Sequence, residues 1–290
     1  MKYVAQATDG QELLFLFQEL YPSNPLYNQC FCFEMKGKID MNRLIEKLKQ
    51  FVNTHDILMS NYVRDANGRI MQIDLGHQVE DCIRIKSNMS LEEALTEVEI
   101  DKNMAFDLTK ENLFFVKFFI IEKDCFIFSG VVHHIVSDAY SMFYLIEWLI
   151  ENYENKSEPV PVLQFNDYLK KNSFSCTDSY KNIVKEYSED ILFTQDRTGV
   201  YPCFTTIREL SRELHCEIAR VSKKFNITPF VCHLAAYAFL VSRISRENHV
   251  CLGIPFAGRR SRESRKIFGY LVNIQPLILN LGQYNTFAEL

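Results

Sequence analysis

Two apolar runs constrain this chain more than any other feature. Residues 113–121 and 125–132 are almost wholly apolar, and only Glu122, Lys123 and Asp124 separate them. Neighbouring side chains on a strand point to opposite faces, so unbroken apolar runs read as strands buried on both faces. A polar turn joins this pair. Both runs are shorter than a membrane-spanning helix, as is the stretch 230–241, and they carry Lys117 and His233. No transmembrane segment is expected.

Helical and strand-like periods alternate around this pair. Residues 13–20 are helical in period, and the proline-rich stretch 21–25 breaks them. Residues 29–36 alternate like a strand, and Asp40 caps a helix whose apolar face is Leu44, Leu48, Phe51 and Val52. Strand-like pieces at 59–64 and 68–74 flank the hairpin turn 65–68. Ser90 with Glu93 forms a capping box that opens a helix to about Lys102. A helix is expected at 141–153, and others at 180–190, 211–225 and 228–245, with Pro229 at a first-turn position. Strands at 249–254 and 274–281 close the pattern. Residues 154–178 are mixed and polar, the best linker candidate. The expected architecture is α/β (α+β), with an N-terminal lobe over 1–172 and a partial C-terminal lobe over 173–290.

Composition sets the class. Of 290 residues, 47% are hydrophobic and 24% charged, enough apolar material for a real core. Ten glycines and eight prolines are too few for a collagen-like or disordered chain. The 32 basic and 37 acidic side chains leave a charge of −5, which gives no footprint for nucleic acid. Nine cysteines, odd in number and without a CxxC pair, suit a reduced, cytoplasmic protein. The opening residues lack the apolar core of a signal peptide. Cys30 and Cys32 share one face of a predicted strand and are expected in the core.

The run from Val131 to Ser141, VVHHIVSDAYS, carries the strongest chemical signal. An apolar strand ends in two histidines, and a loop containing Asp138 leads into a helix. Consecutive strand residues face opposite ways, so His133 and His134 cannot both line one cavity. One is expected to point inward as a structural residue while the other is presented to a cleft. No Cys or carboxylate cluster with zinc spacing lies nearby, so no metal is expected. The paired histidines, the carboxylate and the strand-end position favour an acid/base site. Residues 253–259 have P-loop-like glycine spacing but lack its Lys and Ser/Thr. Neither G-x-S-x-G nor G-x-G-x-x-G occurs. Arg259, Arg260, Arg262, Arg265 and Lys266 form the one basic cluster, readable as a solvated loop or as a contact for a phosphate or an acidic partner.

The segment from His133 to Ala139 resembles the HHxxxDG motif of condensation domains in nonribosomal peptide synthetases, shared with chloramphenicol acetyltransferase and other carrier- or CoA-dependent acyltransferases. Other segments resemble the family in its order. These are Gln11 to Leu20 before Tyr21 (the opening helix), Thr54 to Leu58 (RHExLR), Ala105 to Leu108 (FDL) and Gln164 to Tyr168 (YxDYA). Gly253 to Arg259 (GxPxAGR) and Ile267 to Asn273 (IGxFVNT) follow. Three departures stand out. Ala139 replaces the motif glycine, Thr54 and Met59 stand where two arginines are expected, and the family's C-terminal third is absent after Leu290.

The resemblance implies two chloramphenicol-acetyltransferase-like lobes around a central cleft, the second lobe incomplete here. It implies a condensation-type acyltransferase that forms an amide or ester between a carrier-bound acyl thioester and an amine or alcohol. His134 would face the cleft as general base or hydrogen-bond partner. His133 and Asp138 would be structural, Asp138 pairing with Arg259 across the lobes, and Asn273 would be a cleft or oxyanion candidate. No cofactor is expected to bind directly, only the phosphopantetheine arm of carrier substrates. The implied partners are peptidyl or acyl carrier domains, with an adenylation domain as a further neighbour. Two other readings stand beside this one: a degenerate, non-catalytic carrier-docking module, and a stand-alone O-acyltransferase using acyl-CoA or a carrier thioester. Without the missing third, this chain alone is expected to be weak or inactive.

Overall fold

The computed structural model describes residues 2–154, 163–172, 208–259 and 261–290. The chain divides into two compact units. One is Met1–Phe174 with Ala257–Asn273, and the other is Ser175–Phe256 with Ile274–Leu290. Segment 257–273 thus packs with the first unit. The expected helix at 180–190 and most of the linker stretch lie outside the described residues.

In the first unit the two apolar runs become β6 (Phe114–Glu122) and β7 (Cys125–His133), an antiparallel pair at the centre of a four-stranded sheet ordered β2-β7-β6-β5. β2 (Asn28–Lys36) pairs antiparallel with β7, setting Asn28 opposite His133, while β5 (Ile83–Ser87) runs parallel to β6 at the other edge. Both faces of the central pair are covered, as unbroken apolar runs require. On one face Phe119 and Ile127 pack with Ala94 of α3 (Leu91–Lys102). On the other, Phe118, Phe126 and Phe128 join a core containing Leu48 and Phe51 of α2 (Met41–Thr54) and Leu145 of α4 (Ala139–Asn152). Lys117 interrupts the apolar run because its ammonium meets Asp101 of α3 at 2.6 Å and Glu97 at 3.5 Å. A buried cation needs such partners.

A second, three-stranded antiparallel sheet orders β1 (Lys2–Gln6), β4 (Ile70–Asp74) and β3 (Ser60–Arg64). Helix starts follow the sequence. Thr8 and Gln11 form a capping box on α1 (Asp9–Leu20), Asp40 caps α2, and Ser90 with Glu93 boxes α3. Part of the presumed linker is structured: α5 (Phe165–Lys171) buries Phe165 and Tyr168 in the main core.

Cys30 and Cys32 are exposed, against expectation. β2 is an edge strand, and its inward face is set instead by Phe31 and Met35, which pack on the core. A one-residue choice of phase exchanges the two faces of a strand.

The second unit contains α6 (Arg212–Phe225), capped by Ser211, and α7 (Pro229–Ser245), capped by Thr228 with Pro229 in the first turn. β8 (His249–Phe256) and β9 (Asn273–Asn280) form a two-stranded sheet. Ala238, Val241, Val250 and Leu252 make its buried cluster.

Candidate active site

β7 ends at His133, and the chain leaves it in a 3₁₀ turn over His134–Val136 before Asp138 caps α4. The two histidines meet opposite environments. His133 is 1% exposed, between the rings of Tyr27 and Phe106. The Ile135 amide donates to its Nδ1 at 3.1 Å. The ring proton therefore sits on Nε2, which is buried without a partner among the described residues. Burial, with a smaller contribution from neighbouring His134, pushes its pKa down to about 3. His133 is a neutral structural ring.

His134 is half-buried, and its backbone amide donates to the Tyr27 carbonyl at 2.8 Å. Its Nδ1 lies 2.7 Å from the Ser137 carbonyl. A carbonyl only accepts, so Nδ1 carries a proton, and in the neutral ring Nε2 keeps the lone pair. No described residue donates to that Nε2. The ring of Tyr270 stands edge-on to the imidazole, 5.2 Å away at 85°.

Asp138 faces away from solvent. One carboxylate oxygen accepts the Ser141 amide at 3.0 Å, which caps α4, and the Ser141 hydroxyl lies 2.9 Å from it. The other accepts Nη1 of Arg259 at 2.5 Å and the Leu271 amide at 3.0 Å. The two side chains are 3% and 1% exposed. Arg259 also donates to the carbonyls of Ala257, Ile267 and Gly269, each at 3.1 Å. Its Nε alone has no partner among the described residues. An ion pair so enclosed is held by hydrogen bonds on both members, and it fixes geometry more than it adds stability. Arg259 belongs to the first unit, so the pair lies within that unit rather than spanning two lobes.

Several of the motif segments close around this pair. Gly258 and Gly269 have φ of +68° and +150°, and a Cβ on either would collide, with the Leu271 carbonyl and the Phe165 ring respectively. His55 donates from Nδ1 to the Phe51 carbonyl at 2.7 Å and stacks on the Phe51 ring at 4.1 Å. Burial lowers its pKa to about 4. Beside it Thr54 and Met59 replace the expected arginines, and Gln164 bridges the turn, donating to the Thr54 carbonyl at 2.8 Å and accepting from the Asp56 amide at 3.1 Å.

The remaining sequence-level candidates are dispersed. Ala139 is the exposed first residue of α4 and is not among the residues with positive φ, so no turn there requires glycine. Asn273 is exposed at the start of β9, with no hydrogen bond linking it to His134. The basic cluster splits: Arg259 is buried, Arg262, Arg265 and Lys266 are exposed, and Arg260 lies outside the described residues. Sequence reasoning missed Ser141, whose position three residues after the cap Asp138 was the available signal. It also missed Tyr62, for which no local pattern exists, and Tyr270, although it stands inside the Ile267–Asn273 segment.

The family model for the Condensation domain matches residues 1–290. Bacitracin synthase 3 of Bacillus licheniformis is 26% identical over 302 residues, covering 97% of this chain and 5% of that protein. Gramicidin S synthase 2 of Aneurinibacillus migulanus is 23% identical over 297 residues, covering 96% and 6%. The chain therefore spans only a small part of these relatives. Among solved structures, the first condensation domain of the calcium-dependent antibiotic synthetase in complex with a substrate analogue aligns with a TM-score of 0.75 at 20% identity. That alignment covers 99% of this chain and 72% of the other. A four-domain nonribosomal peptide synthetase bound to AMP and glycine gives 0.76 at 20% identity, over 96% and 22%. These likenesses show a mixed α/β, chloramphenicol-acetyltransferase-like fold, and with the family match over its whole length the chain belongs to the condensation-domain family.

Proposed function

We propose that the His134 turn serves amide formation between a carrier-bound acyl thioester and an amine borne by a second carrier, at a low rate in this chain taken alone. The observation that carries the reading is the fixed tautomer of His134. Nδ1–H is committed to the Ser137 carbonyl, leaving Nε2 with a lone pair and no donor from the described residues. The acceptor nitrogen donates a hydrogen bond to Nε2 as it attacks the thioester carbonyl. The new C–N bond forms while the carbonyl electrons move to oxygen. Nε2 takes the proton from nitrogen, and collapse of the tetrahedral centre breaks the C–S bond. The departing phosphopantetheine thiolate takes a proton in turn, which balances the step. For an amine that arrives neutral, orientation contributes more than proton removal, and orientation terms reach about 7–11 kcal/mol. Asn273 remains the candidate donor to the oxyanion. His133 and Asp138 act on structure: His133 as a neutral ring, Asp138 by joining α4 to the Arg259 segment.

On this reading the phosphopantetheine arm enters as part of the substrate. The partners are carrier domains with adenylation domains as neighbours, and the compartment is the cytoplasm. The much greater length of the relatives and the four-domain solved structure support such neighbours. Among the described residues no single helix is long and apolar enough to cross a membrane. The test is to mix the protein with alanyl-loaded and glycyl-loaded carrier proteins and follow the dipeptidyl thioester by mass spectrometry. Slow product formation above the uncatalysed background, lost in His134→Ala, is expected. Equal turnover in both proteins would overturn the proposal.

A further inference from the structure

The first turn of α1 reaches the surroundings of His134 by two independent contacts, one to its turn and one to the Tyr270 ring beside it. Gln11 is 1% exposed, and its amide nitrogen donates to the Ile135 carbonyl at 2.9 Å and to the Tyr62 hydroxyl at 2.7 Å. That hydroxyl, on a fully buried ring, lies 3.4 Å from the same carbonyl. The amide cannot be reversed without loss, because its oxygen accepts the Thr8 amide at 3.1 Å and the Thr8 hydroxyl at 3.3 Å. One buried side chain therefore closes the capping box of α1 and pins the residue after His134. The second contact runs through the neighbouring residue. A Cβ on Gly10 would lie 2.6 Å from Cε1 of Tyr270, so its absence admits the ring that bounds the imidazole of His134.

We infer that the first turn of α1 is a positioning element for His134, with Gln11 fixing the backbone of its turn and Gly10 seating the Tyr270 ring beside its imidazole. The inference deepens the amide-forming reading above and rests on it. Burying an amide and a phenol in an apolar core is costly unless each is hydrogen-bonded, and here both converge on one carbonyl of the catalytic turn. Gly10 lies inside a helix, where alanine is intrinsically favoured. Gly10→Ala therefore separates positioning from stability, since helix propensity rises as the Tyr270 ring is displaced.

The experiment compares Gln11→Leu, Tyr62→Phe and Gly10→Ala with Lys117→Met, which removes a buried hydrogen bond of 2.6 Å to Asp101 of α3, away from α1 and Tyr62. Two readouts are taken on the whole chain. These are kcat and KM for dipeptide formation from alanyl- and glycyl-loaded carriers, and the ¹⁵N shifts of the His134 ring without substrate. Gln11→Leu is expected to lower kcat about tenfold at nearly constant KM and to shift the ring from one tautomer to a mixture. Tyr62→Phe, which keeps the ring and the fold, should do the same to a smaller extent. Gly10→Ala should lower kcat without loss of Tm. Lys117→Met should lose Tm and change neither readout. Unchanged ring shifts in Gln11→Leu and Tyr62→Phe, or equal kcat losses in Lys117→Met, would overturn the inference. If His134→Ala proves as active as the parent, the amide-forming reading fails, and the ring shifts alone decide whether α1 positions the imidazole.

Discussion

The segment from His133 to Ser141 has a packed underside and an open rim. His133, Ser137, Asp138 and Ser141 are buried, each engaged by hydrogen bonds, whereas His134 is half-buried and Ala139 and Tyr140 are exposed. Asp138 and Ser141 on the underside meet groups from residues 257–271. The rim leaves one ring nitrogen, Nε2 of His134, without a donor among the described residues. The difference teaches that a single motif divides its labour by side-chain direction: the underside holds the turn still, and the rim presents the ring on which the proposed reaction rests.

The comparison breaks first at the underside. Asp138→Ala leaves Arg259 buried without its counter-charge and removes the cap of α4, so unfolding free energy should fall by ~3–5 kcal/mol. Urea denaturation at neutral pH reads this directly, and a loss below about 1 kcal/mol would mean the pair is not enclosed as described. The next effect is in pH. Unfolded histidines bind protons below about pH 6.5. Folded His133 and His55 stay neutral down to about 3 and 4 respectively, because burial disfavours their charged forms. The unfolded chain therefore holds the extra protons between these values. Stability from these rings is complete above about pH 6.5 and is lost as pH falls toward the folded values, by about 2 kcal/mol per ring at pH 5. Denaturation at pH 7.5 and 5.0 measures the fall, and His55→Phe should remove roughly half of it. The rim should respond least. Ala139→Gly restores the residue of the family motif at an exposed first-turn position, so it should cost no more than ~0.5–1 kcal/mol and leave turnover unchanged. A gain in turnover would show that the side chain at 139 obstructs the approach to His134.

How much of this was legible in the sequence follows from the range of the interactions involved. The central hairpin and the caps at Asp40 and Ser90 were readable, because each depends on residues within a few positions. The two histidines do diverge, but through the 3₁₀ turn that begins at His134 and not through strand alternation. β1 and β5 were not. Their partners, Ile70–Asp74 and Phe114–Glu122, lie far along the chain, and short edge strands carry little periodic signal. Cys30 and Cys32 were placed on the wrong face for the same reason, since strand phase at an edge is set by what packs behind it. The partnership of Asp138 with Arg259 was available from the family resemblance, but its location within one unit was not. Gln11 stood in the sequence only as part of the opening helix. Its contact with Ile135 spans 124 positions and has no local signature.

The central claim is that His134 offers a reactive Nε2 while its neighbour His133 is sealed. Brief treatment of the native protein with diethyl pyrocarbonate, which acylates unprotonated imidazole nitrogen, followed by peptide mass spectrometry and the dipeptide assay, tests it in one measurement. The account predicts a carbethoxyl group on His134, none on His133, and turnover lost in proportion to modification at His134. Modification of His133 in the folded protein, or full turnover with His134 modified, would contradict it.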